Sequence, residues 1–183
     1  MSRSSQLSHF RCACGRTIFE GRGRPIATVA CYCRDCQAAG RAIDALPGGR
    51  GGVAADGGMV SSIFRKDRVS CVSGQELLVG HKLRPESPTV REVASCCNSS
   101  VATRFENQAP IVTLRTFAPG ASLIPDMCVY TRHAPDAQQI AHAARRYAGI
   151  PPKLIFKVIA AQLALVLSPR RAAAPTARVQ RRP

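Results

Sequence analysis

No tryptophan occurs in this chain, and aromatic residues make up only 5% of it. A core without large rings has to be filled by Val, Ile, Leu and Ala; with 14 Gly and 13 Pro, this favours short elements joined by many turns. Acidic residues are scarce as well, 11 Asp/Glu against 26 Lys/Arg, giving a formal net charge of +15. Residues 134–183 hold 9 of those 26 basic residues and 1 of the 11 acidic ones, so the shorter C-terminal piece carries over half the excess. Such a piece can meet nucleic acid, anionic lipid or an acidic partner, but it is read first as a solvated basic tail, and nucleic acid is not an expected partner. Long apolar runs are missing too. The longest, Leu154 to Leu167, is 14 residues broken only by Lys157 and Gln162, short of the roughly 20 that span a bilayer. It is read as a helix packed on the body or on a partner, including a second copy of the chain, with no membrane span. Met1 to Phe10 lacks the apolar stretch of a secretory signal, so the expected location is the cytoplasm.

Cysteine is what the chain has in quantity, nine in 183 residues. In a reducing compartment these read as metal ligands or reactive thiols before disulfides. Cys31, Cys33 and Cys36 form a Cys-x-Cys-x-x-Cys run. Alternate residues of a regular strand face opposite ways, so three sulfurs at this spacing converge only on a looped backbone. Convergent thiolates suit a soft or borderline cation, for which zinc is the usual tetrahedral choice. Three ligands leave a fourth position open for water or substrate, unless a residue elsewhere in the chain closes the site as a structural one. Cys12-Ala13-Cys14-Gly15 and Ser95-Cys96-Cys97-Asn98 are the other landmarks. A simple division assigns the outer pairs to one closed site and leaves the central trio open, with one or two zinc ions per chain. Cys97 is the expected ligand of its pair, and Cys96 is left open because adjacent side chains diverge on an extended backbone. Cys71, in Val69-Ser70-Cys71-Val72, reads as a small buried hydrophobe. His9, His81, His133 and His142 lack ligand spacing.

Residues 8–117 read as an all-β body of short strands. They run through Thr17–Glu20, Ile26–Ala30, Met59–Phe64, Val69–Val72, Glu76–Val79, Thr89–Ala94, Val101–Phe105 and Ile111–Leu114. Gln37 to Ala45 fits a helical turn. The glycine-rich stretch 47–58 has no propensity for regular structure and is read as a lid or, in preference, as disordered. Residues 118–168 read as a helical extension. Ile140, Ala143, Ala144 and Tyr147 recur at helical spacing after Pro135-Asp136, and Leu154–Leu167 follows. Residues 169–183 read as a basic disordered tail.

Cys12-x-Cys14-Gly15 leading into Phe19-Glu20, then Cys31-x-Cys33-x-x-Cys36-Gln37, then a strand ending at Cys97-Asn98-Ser99, resembles the glutathione-dependent formaldehyde-activating enzyme family, which includes centromere protein V. The likeness covers about residues 8–117. It implies a mainly β, zinc-bearing sheet domain with a structural site and a catalytic one. Cys12, Cys14 and Cys97 would serve the structural site, and Cys31, Cys33 and Cys36 would hold the catalytic zinc. The implied activity is a carbon–sulfur lyase acting on glutathione or an adduct such as S-hydroxymethylglutathione. The chain departs from the family pattern at Ala94, where a cysteine is usual, and at Cys96, Asn98 and Tyr32. Asp35 is the nearest carboxylate to the trio and reads as a turn former, so no general base is assigned. The competing reading is a non-catalytic zinc module that engages protein or nucleic acid through its basic tail.

Overall fold

The computed structural model describes residues 6–107 and 109–167; the basic tail expected at 169–183 lies outside the described residues. β1 (Leu7–Arg11) and β2 (Ile18–Arg22) form an antiparallel hairpin with Cys12 and Cys14 in its turn, and β5 (Val69–Ser73) pairs with β2 to complete a three-stranded sheet. β-Branched and aromatic residues on these short runs fit a pleated, half-buried surface.

The larger sheet contains β3 (Ala27–Cys31), β4 (Met59–Arg65), β6 (Leu78–His81), β7 (Thr89–Ala94), β8 (Ser99–Phe105), β9 (Ile111–Leu114), β10 (Met127–Val129) and β11 (Arg145–Arg146). Its order is β11-β10-β3-β4-β9-β8-β7-β6. The pairings are antiparallel apart from β10, which lies parallel to β3 and β11. Ala27 to Ala30 of β3 are all buried, as suits a central strand covered on both faces. Between the two sheets Phe10, Phe19, Phe64, Val101 and Leu114 form a core that includes Cys12. The Phe10 and Phe64 rings meet edge-on with centroids 5.6 Å apart. The mainly β body is therefore the one its residues specify, with α1 (Arg34–Asp44) as its inserted helix.

Beyond residue 117 the structure departs from the helical pattern of the sequence. The helix expected after Pro135 is not formed; the stretch is irregular chain interrupted by β11. Its backbone and apolar groups are taken by tertiary partners: the Ala141 N–H donates to Asp56, the Tyr147 N–H to the Cys128 carbonyl, and Ile140 is buried beside Tyr32 and Cys128. β10 was not foreseen. Its three residues make too short a run to show periodicity, and they are placed by exchange with β3: Thr28 N–H donates to the Asp126 carboxylate at 2.8 Å and Asp126 N–H to the Thr28 carbonyl at 2.7 Å.

The glycine-rich stretch is likewise an ordered strap, contrary to the reading of disorder. Its Arg50 exchanges backbone bonds with Asn98 and Ser100, and the Gly51 N–H donates to Asp44 at 2.6 Å. A Cβ on Gly51 would meet the Gly40 carbonyl oxygen of α1 at 1.9 Å, so only glycine permits this approach.

The expected C-terminal helix is present as α2 (Pro152–Leu167). It docks through Leu154 on a core of Ala27, Val29, Ile63, Met127 and Val129, and Lys157 donates to the Ile26 carbonyl. Ile155, Phe156, Ile159, Leu163, Val166 and Leu167 are exposed. Among the described residues no helix is long and apolar enough to cross a membrane.

Leu154→Ala should lower stability by about 2 kcal/mol or more, because it leaves a cavity in the α2 contact. Leu163→Glu on the exposed side should melt like the parent in denaturant titrations. Equal loss in both would contradict this placement of the helix.

Candidate metal centres

The structure gathers all seven cysteines singled out from the sequence into two groups. In the first, the sulfurs of Cys12, Cys14, Cys96 and Cys97 lie within 4.8 Å of one another. Cys12–Cys14, Cys12–Cys96, Cys14–Cys96 and Cys96–Cys97 Sγ distances are 3.6, 3.9, 3.3 and 3.9 Å. Four thiolates tetrahedrally placed about 2.3 Å from a zinc ion would be spaced by about 3.8 Å, so these residues fit the ion.

Local backbone chemistry makes this convergence possible. The β1–β2 turn folds back so that Thr17 N–H donates to Cys12 Sγ at 3.3 Å, and Gly15 takes a positive φ of 79°. On the other side the Cys97 N–H closes a turn onto the Ala94 carbonyl, and Asn98 adopts φ 48°, a left-handed conformation Asn tolerates. That turn is what lets adjacent cysteines face one point. Cys96, left open from sequence, belongs to the group. Ala94 is fully buried in the core at the end of β7. Ser99 ties the two turns together, accepting from Ala13 N–H at 3.2 Å and lying 3.1 Å from Cys97 Sγ. The Arg16 backbone N–H holds the Cys14 thiol down to about 6, whereas burial pushes Cys96 up to about 12.

The second group is the trio Cys31, Cys33 and Cys36, whose sulfurs also lie within 4.8 Å of one another. Among the described residues no fourth His, Cys, Asp or Glu atom joins it. Cys31 ends β3, and Cys33 is the N-cap of α1, its sulfur accepting from the Cys36 N–H at 3.4 Å. The helix therefore starts inside the cysteine run, earlier than the turn read from Gln37, because a thiolate can satisfy its free N–H groups and sit at the positive end of its dipole. The three sulfurs compete for charge. Bonds from Cys31 and Cys36 hold Cys33 down to about 2. Donating to Cys33 pushes Cys31 far up; Cys36 is favoured by Cys31 but carried up to about 11 by Cys33 and burial. Only a nearby cation lets all three ionise together.

Neighbouring bonds fix the trio's loop. Gln37 Nε2 donates to the Tyr32 and His133 carbonyls at 2.7 and 2.8 Å. Tyr32, fully buried, donates its hydroxyl to Asp56 at 2.8 Å. Burial opposes charge on Asp56, but bonds from Ala141 N–H, Gly58 N–H and Tyr32 hold its carboxyl below the ordinary range. Tyr130, with φ 57°, stands close enough for Cys33, Cys31 and Cys36 to add to the burial that raises its phenol. Nothing in Val129-Tyr130-Thr131 marks it in the sequence. Asp35 lies with its carboxylate 3.7 Å from Arg84 on a half-exposed edge. Cys71 and Cys128 stand outside both groups, Cys71 bonded to the Ser73 carbonyl and Cys128 fully buried in the core.

Compared with models of known protein families and with curated proteins, the chain matches none.

Cys97→Ser should lower bound metal by about one ion per chain and destabilise the body, since a metal joining the first hairpin to the β7–β8 turn contributes folding free energy directly. Elemental analysis alongside thermal melts checks this; parent-like zinc content and melting would count against the four-sulfur site. Asp56 has its folded pKa below the unfolded one, so it adds stability above the ordinary carboxylate value near 4 and loses it as pH falls through the folded value. Asp56→Asn should therefore be less stable than the parent at pH 7, with the difference closing below about pH 4.

Proposed function

We propose that this chain is a zinc-dependent carbon–sulfur lyase-like enzyme of the formaldehyde-activating type, acting on a glutathione adduct such as S-hydroxymethylglutathione. One observation carries the proposal: the outer group supplies four sulfurs, a complete tetrahedral set, while the trio supplies three. Zinc held by Cys31, Cys33 and Cys36 would supply a Lewis acid that stabilises a thiolate and polarises an aldehyde oxygen at neutral pH. The four-sulfur site serves the fold.

The chain's own residues prepare the remaining position. Cys31 is held in register by the pairing of β3 with β4 and β10, and Cys33 and Cys36 by the first turn of α1, so the three sulfurs are preorganised. Gln37 and Tyr32 lock the connecting loop. Tyr130, whose phenol feels the charge of the trio, stacks on the His133 ring with centroids 6.4 Å apart, and the His133 carbonyl accepts from Gln37, so this turn is fixed against the cysteine loop. The basic surface charge favours approach of anionic glutathione.

Zinc-loaded protein should accelerate exchange between free glutathione, formaldehyde and the hydroxymethyl adduct, measured by NMR exchange spectroscopy against the spontaneous rate. Cys33→Ser should return it to that rate while the four-sulfur metal stays bound. A zinc-replete chain that neither binds glutathione nor exceeds the spontaneous rate would favour the non-catalytic module instead.

A further inference from the structure

Two guanidinium groups are buried beside the trio with no carboxylate to balance them. Arg115 is 4% exposed and follows β9 into the interior. Its Nε donates to the Ser100 carbonyl at 2.7 Å; its Nη2 donates to Ser100 Oγ at 2.7 Å, Thr103 Oγ1 at 3.0 Å and the Ala102 carbonyl at 3.5 Å. Its Nη1 meets Met59 Sδ at 3.3 Å. Every one of these acceptors is neutral. Arg91, also 4% exposed, donates Nη2 to the Asp35 carbonyl at 3.2 Å, and its buried Nη1 has no hydrogen-bond partner. Neither arginine takes part in an ion pair among the described residues, and the adjacent Glu92 is held by Arg104 at 2.6 Å.

Their placement points at the sulfurs. Met59, against which Arg115 lies, is the cross-strand partner of Cys31. Asp35, whose carbonyl Arg91 holds, sits between Cys33 and Cys36. A buried charge without a counter-charge costs several kcal/mol, so a fold that keeps two of them beside three thiols requires negative charge there. Burial is the main influence lowering the Arg115 pKa, to about 10, and negative charge on Cys36 or Cys31 acts against it.

We propose that Arg115, assisted by Arg91, is the counter-charge of the metal-bearing trio and a positioning residue that sets the charge of its fourth ligand: the site selects an anion, thiolate above all, over a neutral donor. The inference rests on the metal-binding reading of the trio. Three thiolates around a divalent cation leave one negative charge, two guanidiniums leave one positive charge over, and one anionic ligand brings the buried site to neutrality. In low-dielectric surroundings that difference separates ligands of similar size and donor strength.

The test uses full-length protein loaded with cobalt(II), titrated with 2-mercaptoethanol and separately with imidazole, and followed by the sulfur-to-cobalt charge-transfer and visible bands. Cys33→Ser identifies the part of the spectrum that belongs to the trio. Arg115→Met should weaken thiol binding about tenfold or more, with imidazole affinity changed little or increased. Arg115→Lys, which keeps the charge, should recover most of the thiol affinity. Arg91→Gln, which loses one backbone bond, should shift the same preference in the same direction and carries the test if Arg115→Met does not fold. Equal weakening of both ligands in the variants, or no change in either, overturns the inference while leaving the metal reading intact. A parent protein whose spectrum does not depend on Cys33 overturns the metal reading itself, and this inference with it.

Discussion

Charge confined near sulfur is the constraint on which the rest of this structure depends. Four thiols with sulfurs within 4.8 Å of one another, and three more in a second such group, can ionise together only around a cation. In the trio the sulfurs oppose one another's charge, with Cys33 held down and Cys31 and Cys36 pushed up. The same requirement accounts for features that otherwise look wasteful: a helix begun on a cysteine N-cap, and two guanidiniums buried among neutral acceptors.

The two centres differ in what they join. The four-sulfur group links the β1–β2 turn to the β7–β8 turn, residues more than 80 apart in the chain, and so closes the small sheet onto the large one. The trio sits at the end of a single strand in the middle of the large sheet, clamped by β4 on one side and β10 on the other. On the proposed reading, one arrangement holds the fold together and the other presents an exchangeable position on a rigid support. The glycine-rich strap runs between them, bonded to Asn98 beside Cys97 and to Asp44 at the end of α1, so the two centres share one backbone support.

α2 is apolar on nearly all sides yet docks on the body through little more than Leu154 and Ala161, which leaves a stripe of large apolar residues uncovered. Helices of this kind are normally buried on more than one face. The self-association expected from the sequence would have to rest on this stripe.

Residue types and spacing by themselves determined which seven cysteines come together, that the body is a run of short strands, and that a helix starts near Pro152. These are local properties: β-branched runs between turn residues, thiols at chelating intervals, an uninterrupted apolar stretch. Tertiary structure alone decided the rest. Ile140 to Tyr147 carry a helical pattern, yet bonds to Asp56 and Cys128 take their backbone groups and the pattern goes unused. β10 exists because β3 offers it an edge, and three residues hold no periodicity to announce that. Whether Cys96 could face the same point as Cys97 depended on the φ of Asn98. Arg91 and Arg115 look like ordinary arginines of a basic chain; only the packing of α1 against β4 and β8 shows that they are buried beside sulfur and without a carboxylate, because counter-charge is a property of space and not of sequence.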